Sequence, residues 1–116
     1  MSINPKSRVS RLLEMEFQKL ADFNQGQVGV FWSEPGGPSP WEMHPDTDEM
    51  LYILEGAINV EVLPIDGSEG ETNSIRSGEF CIIPRGCWHR HFILEKTQEL
   101  YITPGATMHS IDADPR

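Results

Sequence analysis

Nothing in this 116-residue sequence approaches the ~18 consecutive apolar residues that a membrane-spanning helix needs, so no helical anchor is expected. Cysteine is scarce. Cys81 and Cys87 are too few for a disulfide framework, and a bridge between them is not implied. Positive charge is the third shortage: 9 Lys and Arg stand against 18 Asp and Glu, a formal charge of -9. That balance repels phosphate backbones and anionic lipid surfaces, so neither a nucleic-acid nor a membrane partner is expected. The acidity itself speaks to solubility rather than to fold. The charged start, MSINPKSRVSRLLEMEF, lacks the apolar core of a signal peptide, and a reducing cytoplasm is the expected compartment. Repeats at solenoid periods are also missing.

What is present is punctuation. Nine prolines and ten glycines cut the chain into short runs, with loops at PGGPSP (35–40) and DGSEGETN (66–73). Between them lie QVGVFW (27–32), EMLYILEG, AINVEVL (57–63), EFCIIP, WHRHFIL and ELYIT. In AINVEVL, Ile58, Val60 and Val62 alternate with Asn59 and Glu61, the period of a half-buried strand. Short strands without intervening helices predict one all-β domain over residues 1–116, an antiparallel sandwich or barrel. The N-terminus is ambiguous. Val9, Leu12, Leu13, Phe17 and Leu20 fit a helical face, while Leu13, Met15 and Phe17 fit a strand; the all-β remainder favours a strand or irregular edge.

Strand parity sorts the polar groups, because side chains two apart share a face. Glu42 and His44 share a side; Glu49 shares one with Leu51 and Ile53; His89 and His91 share one, opposite Trp88, Arg90 and Phe92. Carboxylates among apolar neighbours are costly without a cation or proton between them. Imidazole nitrogen plus carboxylate oxygen is a donor set for Mn, Fe, Ni or Zn, against which stands the reading of these groups as ordinary surface residues.

The spacing adds a pattern. From Gly36 the chain reads Glu42, His44, Glu49 and Gly56 at intervals of five, one, four and six residues. From Gly78 it reads GEFCIIPRGCWH, through Pro84 and Gly86 to His89. This resembles the paired motifs of the cupin superfamily, G-x5-H-x-H-x3,4-E-x6-G and G-x5-P-x-G-x2-H-x3-N, with Glu42 in place of the first histidine and Ile93 in place of the closing asparagine. The resemblance covers residues 36–93 and treats 1–26 and 105–116 as peripheral. It implies a small jelly-roll barrel (double-stranded β-helix, RmlC-like) with Glu42, His44, Glu49 and His89 as metal ligands.

Glu42 leaves three outcomes: a direct ligand, a residue orienting a bound water or His44, or a metal-free site holding an organic ligand. Without a cation, Glu42 beside Glu49 predicts a raised pKa in one of the two. His91 is a candidate for contacting a small-molecule substrate, or a satisfied rim histidine. His109, in the tail HSIDADPR, is expected to be solvated, Cys87 to be packing, and Trp41 and Trp88 to face a packing or dimer surface. Two functions follow: a metalloenzyme acting on a small oxygenated substrate by oxygenation, isomerisation or decarboxylation, or a non-catalytic small-molecule-binding or sensing module. The resemblance also implies a homodimer, for which the outward set Met50, Tyr52 and Leu54 is the candidate surface.

Overall fold

The apolar runs on either side of Gly56, and those on either side of residues 95–98, join into two long strands instead of four short ones. A computed structural model describes residues 17–23 and 26–116. Among them every regular element is a strand: β1 (Phe17–Phe23), β2 (Gly26–Ser33), β3 (Trp41–Met43), β4 (Glu49–Leu63), β5 (Glu71–Arg76), β6 (Phe80–Ile83), β7 (Trp88–Pro104) and β8 (Met108–Ser110). No described helix is long and apolar enough to cross a membrane.

β4 and β7 pair antiparallel along almost their whole length, and this two-stranded ribbon is the spine of the fold. It bends in the middle, where the register slips between Ile53 and Ile58. Gly56 sits in the bend with φ +100°, and a Cβ there would lie 2.4 Å from Thr97 Oγ1 and 2.5 Å from the Lys96 carbonyl oxygen. Only a residue without a side chain permits that approach. Fully buried Thr97 stitches the corner: its hydroxyl accepts from the Ala57 N–H (3.1 Å) and reaches the Glu95 carbonyl (2.7 Å).

The bend divides the strands into two facing layers. One runs β6, residues 49–55 of β4, residues 98–104 of β7, β2 and β1. The other runs β5, residues 57–63 of β4, residues 88–95 of β7, β3 and β8. The slip switches the inward parity of β4 from odd to even, so Leu51, Ile53, Ile58, Val60 and Val62 all enter one core with Ile75, Ile83 and Cys87. Each large apolar side chain buried there contributes about 1.5–3 kcal/mol. The architecture is the expected antiparallel jelly roll.

Several local expectations change. Residues 71–73 belong to β5 and not to a loop; only Ile75 of this strand is buried, so the strand carries no alternation to read. The segment after Gly105, expected to be peripheral, contributes β8, which pairs with β3. Trp41 packs inside the outer shell: it is 2% exposed, its Nε1 donates to the Asp112 carbonyl (2.9 Å), and the Arg90 guanidinium lies 4.2 Å over its ring. Trp88 is half-buried. Phe17 lies in β1, as the strand alternative requires, and Val9, Leu12, Leu13 and Met15 lie outside the described residues.

Candidate metal centre

β3 crosses β7 with Glu42 opposite His89, so the two side chains leave the same face of adjacent strands. Two turns bring in the rest. The Gly86 N–H donates to the His44 carbonyl (2.9 Å), and the Arg85 N–H donates to the Asp48 carboxylate (2.9 Å). Stitched in this way, residues 44–48 deliver His44 and Glu49, the first residue of β4, to the start of β7. One donor atom from each of Glu42, His44, Glu49 and His89 lies within 4.8 Å of all the others. Glu49 and His89, forty residues apart in the sequence, thus converge on one point.

The inner edges of both imidazoles face a single oxygen. His44 Nε2 is 3.2 Å and His89 Nε2 is 3.1 Å from Glu49 Oε1. Both Nε2 atoms are buried, and apart from this oxygen neither has a hydrogen-bond partner among the described residues. Their outer nitrogens are held from behind: His89 Nδ1 lies 3.3 Å from the Cys87 carbonyl, and His44 Nδ1 lies 3.0 Å from Thr107 Oγ1. Thr103 Oγ1 donates to Glu49 Oε2, leaving Oε1 for the centre. Donor atoms sharing one cation at bonds of about 2.1 Å stand about 3.0–3.4 Å apart, which matches these separations. Two inward ring nitrogens, each fixed by a partner on its far side, with two carboxylates, fit a divalent metal. Glu42 differs from the other three in being half-exposed, with its Oε2 3.7 Å from His109 Nε2.

Electrostatics fit the same picture. Burial pushes the Glu49 carboxyl up, but hydrogen bonds and charge from His44 and His89 outweigh it and hold the group at about 2. The expected rise is therefore not seen at Glu49, because two imidazoles and not one carboxylate dominate its surroundings. His44 is raised: burial lowers it, and the Glu49 hydrogen bond and charge, with the Glu42 charge, more than reverse that. A cation bound here would compete with a proton on His44.

The donors open into a cavity of about 950 Å³, lined by Phe31, Leu51, Ile93 and Tyr101 on its apolar side and by His91 on its polar side. His91 does face this space, one strand step from His89, with ring centroids 6.2 Å apart. Its Nδ1 lies 3.3 Å from Oε1 of Glu99, a fully buried carboxylate that sequence reasoning passed over. The available signal was parity, since Glu99 shares a face with Tyr101 and Thr103. His109 is largely exposed, as expected, and lies on β8 opposite Glu42, where it lines the cavity. Burial and nearby acids push Cys81 up to about 11, and Cys87, a core residue, is also raised, chiefly by burial.

Comparison with known proteins agrees with the fold. The chain is similar to oxalate oxidase 1 of Hordeum vulgare, 35% identical over 66 residues, which cover 55% of this chain and 33% of that protein. It thus spans about a third of the length of the curated relatives it matches. Among solved structures it resembles a cupin-2 domain containing protein from Shewanella frigidimarina (TM-score 0.62, 24% identity, 77% of this chain and 79% of that one). It also resembles hydroquinone 1,2-dioxygenase from Sphingomonas sp. TTNP3 with 4-hydroxybenzoate bound (TM-score 0.66, 18% identity, 78% and 66%). The Cupin domain profile matches residues 29–110, which take in β3 to β8 and all four donors. On that match and this barrel, the chain belongs to the cupin domain family.

Proposed function

We propose that the protein is a metal-dependent enzyme acting on a small oxygenated organic molecule, with an iron- or manganese-type ion held by His44, Glu49 and His89 and with half-exposed Glu42 as the fourth donor. The observation that carries the reading is the pair of buried Nε2 atoms aimed at Glu49 Oε1 on the wall of a ligand-sized cavity. Oxygen-rich donor sets of this kind favour Mn or Fe over softer ions. Such an ion supplies Lewis-acid or redox chemistry toward a bound oxygen atom. The chain's own residues do the remainder. Thr103 and Thr107 orient the donors, the Phe31–Tyr101 wall excludes water, and His91 meets the part of the substrate away from the donors. Similarity to an oxalate oxidase and to a hydroquinone dioxygenase supports oxidation or oxygenation as the reaction class. The same reading takes the protein as a cytoplasmic homodimer, on its two free thiols and its half-buried outward row Met50, Tyr52 and Leu54.

The test is metal analysis of protein purified without chelator, followed by oxygen uptake with a panel of small acids and phenols. One Mn or Fe per chain, lost in His44→Ala and His89→Ala, with uptake that follows metal content, is the expected result. A chain that takes up no Mn or Fe and binds panel members unchanged in both variants would instead be a binding module.

A further inference from the structure

The geometry points to Glu99 as a positioning residue that turns His91 into the cavity's second recognition group, selecting a hydroxylated aromatic ligand. Glu99 is fully buried, on β7 opposite Phe31 and Ile53, and its Oε1 faces His91 Nδ1 at 3.3 Å. Apart from this contact, neither of its oxygens has a hydrogen-bond partner among the described residues. A carboxylate is placed there at a cost, so its contact with His91 has to be the compensation. The pairing spends Nδ1 and leaves Nε2 as the ring atom for a ligand. A hydroxyl suits that atom, because it both donates and accepts.

The rest of the cavity sets the body of the ligand. Phe31 and Tyr101 form a ring pair 6.0 Å apart and inclined at 52°, with Leu51 beside them. Ile93, in place of the cupin asparagine, adds apolar surface, and its backbone is tied to Gly36 by two hydrogen bonds of 3.0 and 2.7 Å. Tyr101 lies across Gly29, where a Cβ would come within 2.4 Å of its ring. The volume, about 950 Å³, is near the top of the ~300–1,000 Å³ typical of small-molecule sites. A two-carbon diacid would leave most of this apolar wall wet. An aromatic ring covers it, with one oxygen toward the metal donors and a hydroxyl toward His91.

This inference rests on the same cavity being the reaction site, so its test separates binding from metal content. Hydroquinone and oxalate are titrated anaerobically into Mn-loaded wild type, His91→Phe, Glu99→Leu and Glu99→Gln, with metal stoichiometry measured in each. Wild type is expected to bind hydroquinone more tightly than oxalate. His91→Phe and Glu99→Leu should each weaken hydroquinone about tenfold, the loss of one buried hydrogen bond, with Mn and oxalate unchanged. Glu99→Gln, which keeps an acceptor for Nδ1–H and the shape of the site, should restore most of that loss. Nitrogen NMR of His91 should show its tautomer fixed in wild type and Glu99→Gln but mixed in Glu99→Leu. Tighter oxalate binding, or hydroquinone binding indifferent to both residues, overturns the proposal. A wild type that binds no Mn overturns the metalloenzyme reading. The hydroquinone comparison is then made on the metal-free chains, where a tenfold loss in both variants supports the role of Glu99 and unchanged binding overturns it.

Discussion

Protonating Glu49 should cost the metal-free fold a measurable share of its stability. Its carboxyl is held at about 2 against an ordinary 4.5, because the hydrogen bonds and charge of His44 and His89 outweigh its burial. A gap of about 2.5 pH units, at about 1.4 kcal/mol per unit, amounts to about 3 kcal/mol. The folded value lies below the unfolded one. The contribution is therefore complete above pH about 4.5 and is lost as pH falls through about 2. His44 is raised, so its contribution is present below its ordinary 6.5 and fades as pH rises through the folded value. Both rest on the same Glu49–His44 contact, which is counted once. Urea denaturation of chelator-treated protein from pH 6 to pH 2 reads the acid limb, and Glu49→Gln isolates it from other carboxylates. Wild type should lose about 3 kcal/mol more than the variant over that range. Parallel curves would show that the imidazoles do not hold Glu49 in this way.

Gly56→Ala should lower stability by more than about 2 kcal/mol, because its Cβ strikes Thr97 and the backbone at positive φ; an unchanged melting temperature would refute the tight corner. Gly29→Ala and Tyr101→Ala should be non-additive by about 1 kcal/mol in a double-mutant cycle, and simple additivity would deny their contact. Thr103→Val removes the donor to Glu49 Oε2 and should weaken metal binding about 10–100-fold in a chelator competition, with unchanged affinity counting against that role.

Much of this was legible in the sequence for a physical reason: a half-buried strand must alternate, and ligands on rigid strands need fixed spacing. Ile58, Val60 and Val62 announced their face, and the resemblance to the paired cupin motifs marked Glu42, His44, Glu49 and His89. What stayed hidden depends on partners far along the chain. The corner at Gly56 and Thr97 exists only through a register slip between two strands. β5 and β8 are polar ribbons whose order comes from pairing with β4 and β3, so their own residues carry no pattern. Glu99 looks like any acid in an acidic chain until β2 and β4 pair on either side of it.

The doubled ribbon has one more consequence. Glu49 pairs off one end of it beside Thr103, and His89 sits at the other end opposite Val62, yet their side chains touch. An ion gripped by both would act as a clasp on a bent strip, cross-linking points forty residues apart much as a covalent staple does. Loading such an ion would hold the two ends of the bent ribbon together and so stiffen its bend as well as its tips.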